Sequence, residues 1–382
     1  MESKKEVVVM FGGVSPEHEV SVITGLQVME NIDTEKYNAL AVYVTKQGEY
    51  LLIKGLSDKS TFLSAKRVVI SVGADSKGGY FKEEVLAAAK HYPYSVYLAF
   101  HGGIGEAGPV QGLLEAVGIP YTSPSQEASV ITMNKQLTKV VVRDVGIDVV
   151  PGVSVLASDM HNNAEKIAKK VSSELKLPVI VKPVHLGSSI GIKVAKTEVE
   201  LEKALIEASY VDKEIVVEKF LSGFSEYNCA VRQIDGKLEC SEIERPLARD
   251  EILSFADKYQ RGGKKTGNTG GMASLSREVP AKISDQLKNQ IQETAMKAFE
   301  ACRCKGMVRI DFMYIPEGKG KLYLTEINPI PGSMAYYLWE AAGISFKTQI
   351  TALIEQAVKD SNEVKSKRLD YQTDIIEKFV AQ

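Results

Sequence analysis

Gly306 to Gly332 reads GMVRIDFMYIPEGKGKLYLTEINPIPG, two apolar-alternating strands around a glycine-rich turn. If the hairpin closes on Gly318–Lys319, a Gly-X pair suited to a two-residue turn, Asp311 lies opposite Glu326 and Arg309 opposite Asn328. Opposed residues share a face, and side chains alternate along each strand. One face then carries Arg309, Asp311, Glu326 and Asn328, and the other carries Val308, Ile310, Phe312, Leu324 and Ile327 into a core. Three oxygen-bearing side chains beside an arginine, with no Cys or His among them, suit a hard cation such as Mg2+ bound together with phosphate oxygens. The plainer alternative is a half-solvated hairpin whose wet face is charged.

Outward from this hairpin, 382 residues are too many for one compact core and point to two or three domains. Hydrophobic content of 44% with 25% charged residues is that of a soluble globular protein. A net charge of −2 gives no electrostatic ground for nucleic acid or an anionic membrane as partner. Four cysteines lack zinc-ligand or disulfide-framework spacing, which suits a cytoplasmic location with reduced thiols. The N-terminal MESKKEVVVMFGG breaks at two glycines, unlike a signal peptide, and no stretch approaches a membrane span of about 20 apolar residues.

The buried-looking run Glu6–Phe11, strands at Ala39–Val44 and Ser95–Phe100, and helical patterns at Val22–Glu30, Glu83–Ala89 and Val110–Val117 predict a small doubly wound α/β domain. Ligands on such sheets bind at the strand carboxyl ends, here VSPEHEVS and HGGIGEAG. In the first of these, Ser15 as a helix N-cap ahead of Pro16 and Glu17 competes with Glu17 as the acceptor of a ligand ammonium. In the second, Gly103, Gly105 and Gly108 satisfy G-x-G-x-x-G, but after the third strand of the domain rather than the first, so nicotinamide binding is disfavoured. His101 and Glu106 there read as substrate-facing groups.

Beyond Tyr121 the pattern becomes α+β. Helices are expected at Lys135–Val145, Glu165–Leu175, Glu198–Ala208 and Asp285–Glu300, with a terminal helix after Lys359. Strands are expected at Val149–Val155, Val179–Lys182, Ile190–Val194 and Ile215–Phe220. KPVHLGSSIGI sets Lys182 at a strand end before a Gly-Ser loop whose backbone N–H groups suit phosphate oxygens; an ordinary hairpin turn is the alternative. No GxxxxGK[ST] is present. In IVVEKFLSGFSE, strand-end backbone beside Leu221 suits a purine, and Glu218 or Glu226 a ribose, against a plain charged strand end. The glycine-rich polar stretch from about 253 to 279 reads as a lid or binding loop.

In this order FGGVSPEHEVS, HGGIGEAGPVQGLLEAVGIPYTS, MNKQLTK, KPVHLGSSIGI, VVEKFLSGFSE, DKYQRG, GMVRIDFMY and EINPIPG resemble the ATP-grasp superfamily, specifically the D-alanine–D-alanine ligases, over nearly the whole chain. The resemblance implies a three-domain ATP-grasp fold: an N-terminal doubly wound parallel-sheet domain (1–123), a central subdomain (124–218), and a C-terminal subdomain (219–382) with the metal site and lid. It implies that Lys135, Lys182 and Lys258 meet ATP, that Glu218, Lys219, Phe220 and Leu221 line the adenine pocket, and that Glu226 holds the ribose. Asp311, Glu326 and Asn328 would hold two Mg2+ ions, with Mn2+ as a substitute. Glu17, Ser188 and Tyr259 would form a trio around the first D-alanine, Arg309 and the Gly332 N–H an oxyanion site, and His101, Tyr337 and Leu338 the substrate side. A homodimer through the N-terminal domain is also implied.

Three positions depart from the family pattern. Ala107 stands where Gly-Glu-Asp-Gly has its Asp, Asn134 where Met-Asp-Lys has its Asp, and Tyr337 where the family places a serine five residues beyond the glycine of Pro331-Gly332. Tyr337 and Ala107 leave room for a relative joining a D-amino acid to another amine or hydroxy acid. A regulatory nucleotide binder without catalysis is the non-enzymatic alternative, and Arg309, which serves acyl transfer more than ATP binding, speaks against it.

Overall fold

The computed structural model describes residues 3–56, 58–85, 89–247, 277–318, 320–367 and 374–381. The first apolar run becomes β1 (Lys5–Gly12), with Val7 to Phe11 at most 1% exposed. It pairs in parallel with β2 (Tyr37–Val44) on one side and β7 (Ser95–Leu98) on the other. A strand buried on both faces needs no alternation, which explains its unbroken apolar sequence.

The sheet extends further than the alternating strand–helix pattern suggests. An antiparallel run of β3 (Tyr50–Lys54), β4 (Lys66–Asp75), β5 (Gly78–Glu83) and β6 (Lys90–His91) gives the order β6-β5-β4-β3-β2-β1-β7. The helix expected over Glu83–Ala89 is not formed at either described end. Glu83 closes β5, paired with Ile70, and residues 86–88 lie outside the described set. The helical reading failed because a partly covered antiparallel edge mixes charged and apolar residues without a clean period of two.

The central unit is an antiparallel sheet, β10-β9-β11-β8, formed by β8 (Gly152–Leu156), β9 (Val179–Pro183), β10 (Lys193–Ala195) and β11 (Glu214–Lys219). Helices Met160–Leu175 and Glu198–Ser209 bury their apolar stripes against Val179, Val181, Ile215 and Val217. In the third unit β12 (Ser225–Ile234), β13 (Lys237–Pro246), β14 (Arg277–Glu278), β15 (Met307–Ile315) and β16 (Lys321–Asn328) pair in the order β14-β13-β12-β15-β16. Helix Asp285–Ala301 covers it, with Ile291 and Phe299 meeting Val308, Ile310 and Phe312.

The β15–β16 hairpin pairs Arg309 with Asn328 and Asp311 with Glu326, the expected register. It does not close as a two-residue turn, however. Ile315 pairs with Lys321, and a bulge at Thr325 restores the register, because Phe312 pairs with Leu324 while Asp311 pairs with Glu326. The Thr325 hydroxyl donates to the Asp311 carbonyl at 2.8 Å, fastening the bulge beside the charged face. Bulges of this kind re-aim side chains next to functional sites. The chain then leaves this sheet: helix Phe346–Lys365 returns to the first domain and shares its core through Ile350, Leu353 and Ile354.

Candidate active site

One cavity lies where the three sheets approach, and each contributes loop residues to it. The first domain supplies Glu17, His101 and Glu106, and the β9–β10 loop supplies Leu186, Gly187 and Ser188. Lys135 enters from a helix start, and Arg309, Glu326 and Asn328 from the hairpin, with Ile330 and Gly332 following it.

At the carboxyl end of β1, Gly13 bends the chain and the helix begins at His18. Ser15 Oγ accepts from the Glu17 N–H at 3.0 Å, so Ser15 organises the helix start. The Glu17 side chain, 8% exposed, faces the cavity and accepts a hydrogen bond from the Ser188 hydroxyl. The helix N-cap is Glu17, later in the chain than the Ser15 that the sequence reading took as cap, and no side chain caps the helix; Ser15 braces the loop ahead of it instead. Ser188 and Ser189 have positive φ (52° and 61°) in a tight turn closed by the Ile190 N–H donating to the Gly187 carbonyl at 3.0 Å.

The glycines of HGGIGEAG serve close approach between loops. A Cβ on Gly103, whose φ is +56°, would meet the Val14 carbonyl at 2.2 Å, and one on Gly102 would meet Ser15 Oγ at 2.5 Å. Glu106 turns inward, accepting from the Gly102 N–H at 2.6 Å and the Ile330 N–H at 3.1 Å. Burial, reinforced by the nearby Glu17 carboxylate, pushes its carboxyl up to about 8.

His101 is held at both ring nitrogens. Nδ1 lies 3.0 Å from the Ile330 carbonyl, which only accepts, so Nδ1 carries the proton. Nε2 then accepts from the Thr24 hydroxyl at 2.7 Å, and Thr24 Oγ1 accepts in turn from the Ser333 N–H at 3.2 Å. Burial brings the imidazole down to about 4, so it is neutral. This chain fixes the turn at Ser333, Met334 and Ala335, three successive left-handed residues (φ 49°, 53° and 46°), against the first domain.

On the hairpin face Arg309 donates through Nε and Nη2 to both Asp311 oxygens at 2.7 Å. Asn328 Nδ2 adds a bond to Asp311 Oδ2 at 3.1 Å. The Lys135 ammonium donates to the Leu186 carbonyl at 2.6 Å and lies 3.8 Å from Glu326 Oε2. Behind it, the fully buried Glu218 carboxylate sits between Lys182 Nζ, at 2.7 Å, and Lys139 Nζ. Burial opposes its ionisation, but the two ammonium groups prevail and hold it down to about 2.

Of the sequence-expected residues, Glu17, His101, Lys135, Ser188, Arg309, Glu326, Asn328 and Gly332 line this cavity. Asp311 adjoins it through Arg309, and Lys182 lies behind with Glu218. Lys219 is exposed at the end of β11, with Phe220 and Leu221 half-buried beyond it and Glu226 on β12 opposite Met313. The Tyr337 hydroxyl donates to Glu244 at 3.1 Å, and the Arg277 guanidinium lies 4.0 Å over its ring. Leu338, expected on the substrate side, has its side chain packed at 0% exposure in the first domain's core. Lys258 and Tyr259 lie outside the described residues, as does the 253–279 loop except Arg277–Val279.

Lys139 and Thr24 were not singled out in the sequence. Lys139 carried a usable signal, since it stands four residues after Lys135 on the same helical face. Thr24 carried none.

The hard-oxygen set of Asp311, Glu326 and Asn328, without sulfur or imidazole, fits a divalent cation. The fit requires Asp311 to share an oxygen now held by Arg309.

Family models for the D-ala D-ala ligase N-terminus and C-terminus match residues 6–124 and 141–355. The D-alanine–D-alanine ligase of Thermosipho africanus is 35% identical over 373 residues, covering 96% of this chain and 97% of that one. That of Chlorobium phaeovibrioides is 34% identical, covering 94% and 99%. Among solved structures, the VanG D-Ala:D-Ser ligase of Enterococcus faecalis superposes with a TM-score of 0.77 at 28% identity, covering 93% and 100%. The D-alanine–D-alanine ligase of Coxiella burnetii gives 0.77 at 27%, covering 95% and 96%.

Proposed function

Because the chain belongs to the D-alanine–D-alanine ligase family, we propose that it joins two D-alanines at the expense of ATP, supplying peptidoglycan precursors. The observation that carries this reading is the meeting, in one cavity, of the Glu17–Ser188 pair, the Lys135 ammonium and the Arg309 hairpin face.

In this reading Glu17, oriented by Ser188, receives the ammonium of the first D-alanine. Its carboxylate attacks the γ-phosphorus of ATP, giving D-alanyl phosphate and ADP. Lys135, Lys182 and, from the lid, Lys258 offset the phosphate charge, while Glu218 to Leu221 and Glu226 receive the adenosine. Two Mg2+ ions held by Asp311, Glu326 and Asn328 would neutralise phosphate oxygens when bound. The amine of the second D-alanine then attacks the acyl carbon. The Arg309 guanidinium and the Gly332 N–H stabilise the oxyanion, and phosphate leaves. Tyr259 completes the trio with Glu17 and Ser188, and the lid keeps water from the acyl phosphate. His101, neutral and held at both ring nitrogens, faces the substrates from the first domain.

We place the reaction in the cytoplasm, where ATP is available and the four free cysteines stay reduced. No helix among the described residues is long and apolar enough to cross a membrane. The assembly we propose is a homodimer through the N-terminal domain.

A second reading is favoured by Tyr337, whose phenol is committed to Glu244 at a position where the family has a serine. There the second substrate is another small D-amino or hydroxy acid. The test is phosphate release with Mg-ATP across D- and L-amino acids and D-lactate, with products identified by mass. D-Ala-D-Ala as the dominant product supports the main reading. A mixed product alone would transfer the assignment to the second, and release without any amino acid would remove both.

A further inference from the structure

The loop carrying Gly187 and Ser188 into the cavity is tied down by residues that do not line it. Asn134 caps helix Lys135–Asp144, its Oδ1 accepting from the Gln136 and Leu137 N–H groups at 3.0 and 2.9 Å. That use fixes the amide orientation and aims Nδ2 at His185 Nε2, 3.1 Å away. On the ring's other side, His185 Nδ1 lies 2.9 Å from Asp212 Oδ1, and the His185 backbone N–H donates to Asp212 Oδ2 at 2.6 Å. Burial works against ionisation of Asp212, but these bonds hold it below the ordinary carboxylate range. An ionised carboxylate only accepts, so Nδ1 carries the ring proton, and a neutral ring then offers Nε2 as the acceptor that Asn134 needs.

We infer that Asn134 and His185 are positioning residues that lock the phosphate-facing loop to the start of the lysine-bearing helix through a hydrogen bond whose polarity requires a neutral imidazole. The inference rests on the nucleotide reading of this cavity given above. Lys135 lies next to Asn134 and Leu186 next to His185, and the Lys135 ammonium donates to the Leu186 carbonyl. The lock therefore sets two cavity elements at once. The family pattern has aspartate at position 134. An aspartate keeps the cap, since it accepts from the same N–H groups, but it presents only acceptors to His185. It therefore needs the protonated ring, so one substitution reverses the sign of the pH response.

Among the described residues, the charged groups tied to this lock are Asp212, ahead of β11, and Lys135, which reaches it through the Leu186 carbonyl and lies 3.8 Å from Glu326 on β16. Both are shared by wild type and variant, so they cancel in a ratio. Binding of Mg-ADP to the full chain, measured calorimetrically from pH 6 to 8.5, tests the lock without turnover. The ratio of dissociation constants, Asn134→Asp over wild type, should rise about fivefold across that range, the worth of one polar contact. In a His185→Gln background the same ratio should stay flat. A flat ratio with His185 present, or an equal rise without it, overturns the inference while leaving the nucleotide site intact. Failure of wild type to bind Mg-ADP at any pH overturns both the inference and the nucleotide reading.

Discussion

Glu106 shows how a single buried carboxyl couples the site to pH. Its ordinary value of 4.5 is raised to about 8 by burial and by Glu17. Below about 4.5 the folded and unfolded chains both hold this proton, and the full contribution to stability is present. As pH rises towards 8 the unfolded chain releases the proton first, so stability falls at up to about 1.4 kcal/mol per pH unit. Glu106→Gln has no proton to release, and its melting temperature should lack this decline, so the two curves converge or cross between pH 5 and 8. Parallel curves would show that Glu106 titrates normally. Neighbouring residues differ in how far sequence alone revealed them. Arg309 and Asp311 were legible as a cluster because strand alternation puts them on one face. Their mutual bidentate bond was not, because partner choice between side chains depends on distances of a few tenths of an ångström. The second partner of Glu218, Lys139, escaped notice because a lysine on a helix ordinarily points to water.

At the scale of elements, the helices were readable where caps and apolar stripes agreed. Ser284 caps Asp285–Ala301 through Leu287 N–H, and Thr197 caps Glu198–Ser209 through Glu200 N–H, as expected for those residue types. The β15–β16 register was reached from a two-residue turn at Gly318–Lys319 that does not form, and it matches because the bulge at Thr325 offsets the longer loop; the bulge itself was not readable, since one added residue leaves no compositional mark. The β3–β6 run was missed because its strands keep one wet face and mix charged with apolar residues, and the edge strand β6 has only two residues. One helix end goes against its own sequence. Met160–Leu175 ends at Lys176, an exposed residue at φ 62° and ψ 136°, a conformation glycine adopts far more readily than lysine. Lys176→Gly should therefore stabilise the chain by about 1 kcal/mol, since relieved strain outweighs the added freedom of the unfolded state. Urea unfolding at neutral pH measures it, and a loss of stability would mean that the helix end is unstrained.

The whole molecule is held closed by its own C-terminal portion. Helix Phe346–Lys365 follows the hairpin in sequence but packs beneath the first sheet, so the site's two walls are joined by chain as well as by contact. Glu355 is the polar centre of that docking. Its carboxylate accepts from Tyr37 Oη at 2.7 Å and from Tyr94 Oη at 2.6 Å, with Lys5 at 3.4 Å. Burial opposes its ionisation, but the tyrosine bonds and Lys5 hold the carboxyl below its ordinary 4.5. A depressed value means that the contribution is present above pH 4.5 and is lost as pH falls through that region. Hydrogen bonds to a charged acceptor contribute about 1.5–3 kcal/mol each, and partial exposure places this pair at the low end. Glu355→Ala should thus cost about 2 kcal/mol at pH 7 and progressively less as pH falls below 4.5, while Glu355→Gln retains part of the bonding and loses about half as much. Because Glu355 does not line the cavity, its loss should raise the KM for the second substrate only if the docked helix sets the spacing between Gly332 and His101. Unchanged KM values with lowered stability would make Glu355 a fastener alone. Unchanged stability at pH 7 would show that the helix is held by its apolar face, through Ile350, Leu353 and Ile354.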